Sequence, residues 1–239
     1  MDLDKALWKA YAHVYDIVLL RFHPYLKLLG QVREALGAQN DWRLLDAGCG
    51  TGNLISTILA SQPGIAVVGV DFERAMLERA NLKIGGNGNA ALLERNLNTP
   101  LPFAEGEFDG IVCVNTLYAL AEHSQFMMEC QRLLKNKGRL VLVTPPNQPK
   151  MGPVFMDHLR TLQQKHPKLW FFPLCGQILW LSPSLLIFLF INRIIQGKSS
   201  FTFFSEMKLL SLVNKCGFAV DRLERAYSGQ ALFLVCTKA

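Results

Sequence analysis

Three glycines at alternate positions, Gly48, Gly50 and Gly52, follow the apolar pair Leu44 and Leu45 in the stretch LLDAGCGTGNL. Without β-carbons such a turn lets a ligand approach the main chain closely, and the start of a following helix can turn unpaired amides on that ligand. The spacing is G-x-G-x-G, with Asn53 where a dinucleotide fingerprint has its last glycine, which argues against a nicotinamide or flavin site. No Gly-Lys-Ser/Thr follows, which excludes a P-loop. Nineteen residues beyond Gly52, Asp71 ends the apolar run AVVGVD. A carboxylate at the tip of a second strand can accept both hydroxyls of a ribose. Glycine turn and ribose acid together describe a nucleoside ligand that needs no diphosphate.

Such residues need a frame that holds them at one edge. The apolar runs RLLDAG, AVVGVD, AALLER, GIVCVN and RLVLVT alternate with the helix-like segments NLISTILASQ, ERAMLERANLK and SQFMMECQRLLKN. This rhythm predicts repeated βα units with right-handed crossovers, hence a doubly wound α/β sheet whose ligand crevice lies at the carboxyl ends of the strands. At 239 residues the chain suits one domain, residues 1–239, with one elaboration.

In order, LLDAGCGTGNL, VVGVDFERAML, LPFAEGEFDGIVCVNTLYAL and RLLKNKGRLVLVTPP resemble the motifs of the class I, Rossmann-like S-adenosylmethionine-dependent methyltransferases. The likeness runs from about residue 40 to 146 and resumes with FSEMKLLSLVNKCGFAV. It implies a seven-stranded, mostly parallel sheet in the order 3-2-1-4-5-7-6, the last strand antiparallel, with helices on both faces. It also implies S-adenosyl-L-methionine as cofactor. Asp46 and the segment Gly48, Cys49, Gly50, Thr51 and Gly52 would then cradle its methionine and ribose portions. Asp71 would bind the ribose, with Phe72 and Met76 flanking the adenine. Asn96 with Leu97 falls where the family often has an aspartate facing the adenine amino group, and an amide there still hydrogen-bonds. Asn115 would lie near the methionine end with Tyr118 close by, and YAHVYD resembles the N-terminal cap, residues 1–40, with Tyr15 as a lid. Phe72, Met76 and Leu97 read equally as ordinary core.

The sulfonium makes the methyl group electrophilic, so the protein must mainly align a nucleophile and exclude water, which can supply roughly 7 to 11 kcal/mol. Tyr118, Tyr15 and His123 are the candidate catalytic residues. Each tyrosine reads equally as a packed side chain, and His123, near a helix start in YALAEHSQ, as a solvated loop histidine. No metal site is expected.

Between the fifth strand and the next family motif stand residues 147–200, an insert rich in Trp170, Phe171, Phe172, Trp180, Phe188 and Phe190. Five of the chain's six net positive charges fall in it. Basic and apolar together point to an anionic membrane surface rather than to nucleic acid. A transmembrane span is not expected. Pro173 and Pro183 interrupt the run, Ser184 to Ile195 is 12 residues where spanning needs about 20, and one span would part the last strands from their sheet. The pattern predicts an interfacial helical pair or the wall of a hydrophobic tunnel, with Ser182 capping a helix that starts at Pro183. Leu185 to Ile191, apolar on every face, should be buried against another element, lipid or a lipid-like substrate, and His158 and His166 should lie at the surface.

The six cysteines show no metal-ligand pairing, which fits a reducing compartment, and MDLDKALWKAY lacks the pattern of a signal peptide. The expected location is cytoplasmic, peripheral on the inner face of a membrane. Three readings follow: a methyltransferase for a lipophilic acceptor such as a quinone, isoprenoid or lipid head group; one for a soluble aromatic or natural-product acceptor beneath a hydrophobic lid; and a non-catalytic cofactor-binding partner protein. The oligomeric state is left open.

Overall fold

The computed structural model describes residues 3–147, 149–165, 167–197 and 200–239, with the main chain alone at 3–6, 173 and 177–182. Strands β1 (Arg43–Ala47), β2 (Ala66–Asp71), β3 (Ala90–Glu94), β4 (Phe108–Val114), β5 (Leu134–Thr144), β6 (Phe218–Ala226) and β7 (Ala231–Lys238) form one sheet. Its order is β3-β2-β1-β4-β5-β7-β6. Pairings are parallel except those of β7, which runs antiparallel to β5 and to β6. This is the expected seven-stranded, doubly wound arrangement. Helices α1 (Leu3–Leu19) and α2 (His23–Leu36) precede the sheet, and α3 (Asn53–Ser61), α4 (Arg74–Ile84) and α5 (His123–Leu133) cross between strands. Helices α6 (Met151–Lys165), α7 (Phe171–Gly197) and α8 (Glu206–Lys215) lie between β5 and β6.

Period-2 alternation divides the core in two. Leu44, Val67, Val112 and Val141 face α1, α2 and α3, whereas Leu45, Val68, Ile111 and Leu140 face α5 and α8. Gly69 lets α3 settle on the sheet, because a β-carbon there would come within 2.6 Å of Ile55. Ser205 starts α8, its hydroxyl accepting from the Lys208 amide at 3.3 Å. Helix α5 ends at Leu133, short of the predicted Asn136, because the chain enters β5 at Leu134 without a loop.

The insert departs from expectation at both prolines. Helix α7 is continuous over 27 residues, with Pro183 inside it rather than at its start. Pro173 is the third residue of α7, where an amide has no intrahelical acceptor to lose. Pro183 removes one interior hydrogen bond, and the helix carries across it. Burial along Leu185 to Ile191 is one-sided: Phe188 and Ile191 are buried, while Leu186 is 68% and Phe190 66% exposed. His158 is buried, not at the surface, since α6 packs on α2 and places its ring 4.6 Å from the Phe22 ring. His166 and the Trp180 side chain lie outside the described residues. No helix among the described residues is long and apolar enough to cross a membrane.

Candidate active site

All three glycines of the turn after β1 take left-handed conformations, with φ of +83°, +52° and +74° at Gly48, Gly50 and Gly52. Their surroundings differ. A β-carbon on Gly48 would lie 2.1 Å from the Thr116 hydroxyl, and one on Gly52 would meet Ala80 at 3.0 Å. Gly50 alone faces open space. The turn's amides are largely committed within the protein: Gly48 and Cys49 both donate to the Val70 carbonyl at 2.7 and 3.0 Å, and Gly50 donates to Asp71 Oδ2 at 2.9 Å. A ligand here meets a glycine main-chain surface more than a ring of free N–H groups.

Behind the turn, Asp16 near the end of α1 acts as a hub. Its carboxylate accepts from Thr51 Oγ1 at 2.6 Å and Asn53 Nδ2 at 3.0 Å, and pairs with Lys83 Nζ at 2.7 Å. Lys83 also donates to the Thr51 carbonyl at 2.8 Å and to Asn53 Oδ1. Thr51 therefore points away from the crevice. Sequence reasoning drew Tyr15 from YAHVYD and passed over Asp16. The only signal was an acid on the otherwise apolar second half of an N-terminal helix, and its partners stand 35 residues on and beyond.

Two carboxylates occupy the strand tips. Asp71 accepts from the Gly50 amide and, through Oδ1, from the Glu73 amide at 2.9 Å. Burial raises its pKa against these hydrogen bonds. Asp46, 2% exposed, is raised to about 7 by burial and then by the charge of Asp71, and among the described residues its Oδ2 has no hydrogen-bond partner. Glu73, unremarked in the sequence, N-caps α4 by accepting from Ala75 at 3.2 Å and leaves its buried Oε2 unpartnered.

From this edge a cavity of about 350 Å³ opens. Gly48, Gly50, Asp71, Phe72, Met76, Asn96, Leu97, Asn115, Tyr118 and Tyr15 all line it. Asp46, Cys49, Thr51, Gly52 and His123 do not. Asn115 is held there in a left-handed conformation, φ +54°, with its amide donating to Val143. His123 begins α5 and sets its ring edge-on to Phe204 at 5.1 Å, away from the cavity. Burial lowers its pKa.

The far end of the cavity is aromatic. Tyr11 stacks on Phe188 of α7 at 5.2 Å and meets Asn192 through its hydroxyl at 3.1 Å. Tyr118 stacks on Phe203 at 5.5 Å, and Tyr15 stands edge-on to Tyr11 and Tyr25. Burial pushes the Tyr25 hydroxyl up to about 12, and it raises those of Tyr11, Tyr15 and Tyr118 as well. These phenols stay protonated at neutral pH. Among the described residues no group of His, Cys, Asp and Glu is placed to hold a metal ion.

Residues 45–142 match the family model described as a methyltransferase domain. Within residues 45–142 the chain is similar to a methyltransferase domain, carried on the seven-stranded sheet described above. It is 33% identical over 124 residues to a demethylmenaquinone methyltransferase of Deinococcus radiodurans, covering 51% of each chain. It is 28% identical over 160 residues to a demethylmenaquinone methyltransferase of Thermotoga maritima, covering 65% of this chain and 68% of that one. The chain thus spans about half the length of the first relative. An S-adenosylmethionine-dependent methyltransferase of Aquifex aeolicus shares the fold, with TM-score 0.59 at 15% identity over 88% of this chain and 89% of that one. The methyltransferase family match ends at Leu142, before the insert begins.

The residues of the methyltransferase domain suit S-adenosyl-L-methionine. Asp46 Oδ2 and Glu73 Oε2 are buried acceptors without donors, as a ligand bearing an ammonium and ribose hydroxyls requires. Gly50 leaves main-chain room beside them.

Proposed function

We propose that this protein transfers a methyl group from S-adenosyl-L-methionine to a lipophilic acceptor of the quinone type, working as a peripheral protein on the cytoplasmic face of a membrane. The observation that carries the reading is the aromatic cavity continuous with the Gly48–Asp71 edge and walled by α7, whose inner residues Phe188, Asn192 and Ile195 line it. A flat, apolar ring fits between stacked aromatic walls. The polar atoms of Asn115, Asn192 and Gln230 give such a ring a few oriented partners. Two relatives named as demethylmenaquinone methyltransferases support the acceptor class.

The cofactor, when bound, supplies an electrophilic methyl group. The chain's own residues would do the rest. Asp71 and Gly50 would hold the ribose edge and Phe72 and Met76 would enclose the base, while Asp46, which does not itself line the cavity, would act on the ammonium through its buried charge. Tyr118 and Tyr15 close the space around the reacting atoms and keep water out, which makes positioning the main source of rate. Among the described residues no cavity side chain is poised as a strong base, so on this reading the acceptor brings its own acidic hydroxyl or an electron-rich carbon.

The membrane position rests on α7 having two faces, the inner one lining the cavity and the outer one exposing Leu186, Ile187, Leu189 and Phe190. The exposed Lys165, Lys168 and Arg193 stand on or near the same pair of helices. The test is label transfer from methyl-labelled cofactor to a total lipid extract, to demethylated quinones and to a soluble metabolite extract. Label in the quinone fraction is expected. Label confined to soluble aromatics would replace the acceptor class, and no transfer with cofactor binding intact would leave a binding protein.

A further inference from the structure

Beside the acceptor cavity lies a second cleft, about 660 Å³, between α2, the first turns of α6 and the turn joining β6 to β7. Tyr227 lines both spaces and forms the wall between them. The wall is held in an unusual backbone: Tyr227, Ser228 and Gly229 take φ of +52°, +55° and +79° in succession. Two of the three carry β-carbons, so the surroundings must hold this conformation in place. Ser228 Oγ donates to Asp157 Oδ2 at 3.0 Å, and Gln230 Oε1 accepts the Lys150 amide at 2.6 Å, tying the turn to the insert at two points.

Three cations border the cleft: Lys27 from α2, Arg160 from α6 and Arg225 from β6. Arg225 is paired with Glu206 at 2.9 Å, and the one acid in the lining, Asp157, is engaged by Ser228. Among the described residues this leaves Lys27 of α2 and Arg160 of α6, both in the lining of the cleft, as cations without a carboxylate. Met156, half exposed, adds an apolar rim.

We propose that this cleft binds a phosphate group at the polar end of an amphiphile, the apolar part of which passes Tyr227 into the aromatic cavity. The proposal rests on the reading of that cavity as the acceptor site. Lys27 and Arg160 supply charge-assisted donors, and the Ser228–Gly229 segment supplies main chain against which the phosphate oxygens pack. The phosphate comes either from a phospholipid of the surrounding membrane or from a phosphorylated lipophilic acceptor, which would then take the place of the quinone type in the same cavity. Both use the same chemistry.

The test needs neither cofactor nor methyl transfer, so its outcome is separate from that of the acceptor assay. The full chain, the double variant Lys27→Ala/Arg160→Ala and a charge-matched double variant Lys208→Ala/Lys215→Ala, on the exposed side of α8 and in neither cavity, are titrated by calorimetry with inorganic diphosphate and with a soluble prenyl diphosphate. The same three proteins are floated with phosphatidylcholine vesicles with and without phosphatidate. The cleft variant should lose roughly tenfold or more in diphosphate affinity, as expected for two lost charge-assisted contacts, while the matched variant stays within about twofold. Asp157→Asn, which keeps a side-chain oxygen for Ser228 and removes a negative charge, should bind diphosphate more tightly. Preference for the prenyl compound over inorganic diphosphate identifies the acceptor as the source. Loss of phosphatidate flotation in the cleft variant alone identifies the membrane. Equal losses in the two double variants, or no diphosphate binding by the parent chain, overturn the proposal.

Discussion

The cofactor edge and the acceptor end of the same cavity are built by opposite means. At the edge, positions are fixed by backbone that only glycine adopts easily and by a polar hub in which Asp16 holds Thr51, Asn53 and Lys83 together. At the acceptor end, Tyr11, Tyr118, Phe188 and Phe203 are held mainly by ring packing, and among the described residues the insert helix α7 meets α1 through one polar contact, Asn192 to Tyr11. Directional bonds give a geometry that fails abruptly when one member is lost. Packed aromatic surface gives one that tolerates exchange of similar volume. On the proposed reading, a site of this design would be strict about its cofactor and adaptable towards its acceptor.

The largest contrast should come from two glycines a turn apart. Gly48→Ala places a β-carbon 2.1 Å from Thr116 Oγ1 at a φ of +83°. Strain and overpacking there should together cost about 3 kcal/mol or more, visible as a lowered midpoint in denaturant even without cofactor. Gly50→Ala meets open space in the free protein. It should cost only about 1 kcal/mol of stability, from its positive φ, yet sharply weaken cofactor binding. Equal stability losses in the two variants would show that the turn is governed by backbone strain alone.

Asp16→Ala comes next. It strips three donors of their shared acceptor and leaves Lys83, whose pKa burial already lowers, without its carboxylate. A loss of about 2 kcal/mol is expected, since the pair is only partly buried. Phe188→Leu at the other end should cost less than about 1.5 kcal/mol, because the apolar volume is largely kept. A chemical denaturation series on both variants measures the difference, and reversal of the order would break the contrast between hub and packing.

These differences also explain what could be read from the chain alone. The alternation of strands and helices was legible because βα periodicity is local, and the glycine turn because the residues from Leu44 to Asp71 carry their constraints within one βαβ unit, whereas the strand order followed only from the resemblance to the methyltransferase motifs. Asp16 and Glu73 were not. The first joins the turn only through tertiary packing of α1, and the second reads as an ordinary polar residue until the start of α4 is located. Pro183 misled for the opposite reason: a local rule about helix starts gave way to a 27-residue helix that absorbs one missing bond. His158 was expected in solvent because an insert has no visible partner in sequence, whereas α6 lies against α2.

A smaller effect should appear in pH dependence at the cofactor edge. The Asp46 carboxyl, ordinarily 3.8, is raised to about 7 by burial and by Asp71. An acid with a raised folded-state pKa holds its proton in the native state where the unfolded chain has released it. Its contribution to stability therefore falls as pH rises from about 4 to about 7. A ligand ammonium reverses the preference by favouring the charged carboxylate, so cofactor affinity should rise by up to about tenfold between roughly pH 6 and pH 8. Asp46→Asn should flatten that rise and, without ligand, stabilise the protein at the upper pH. A parent chain whose affinity is flat across this range would remove Asp46 from the ammonium's surroundings.

The smallest effect on folding, and the one that most separates the two ends, belongs to the outer face of α7. Leu186 and Phe190 are about two-thirds exposed, so Leu186→Ser with Phe190→Ser removes little buried surface. Stability should stay within about 0.5 kcal/mol per site. Cofactor affinity should also hold, because neither residue lines the cavity. Flotation with vesicles should nevertheless fall even on neutral lipid, since apolar side chains at an interface contribute a part of binding that salt does not screen. Lys165→Glu with Lys168→Glu acts on the other part: binding to anionic vesicles should drop by about 1 kcal/mol or more per residue at low salt and hardly change on neutral lipid. If the parent chain stays unbound with anionic vesicles at every salt concentration, the exposed face of α7 does not meet lipid, and the two-faced helix is an acceptor wall only.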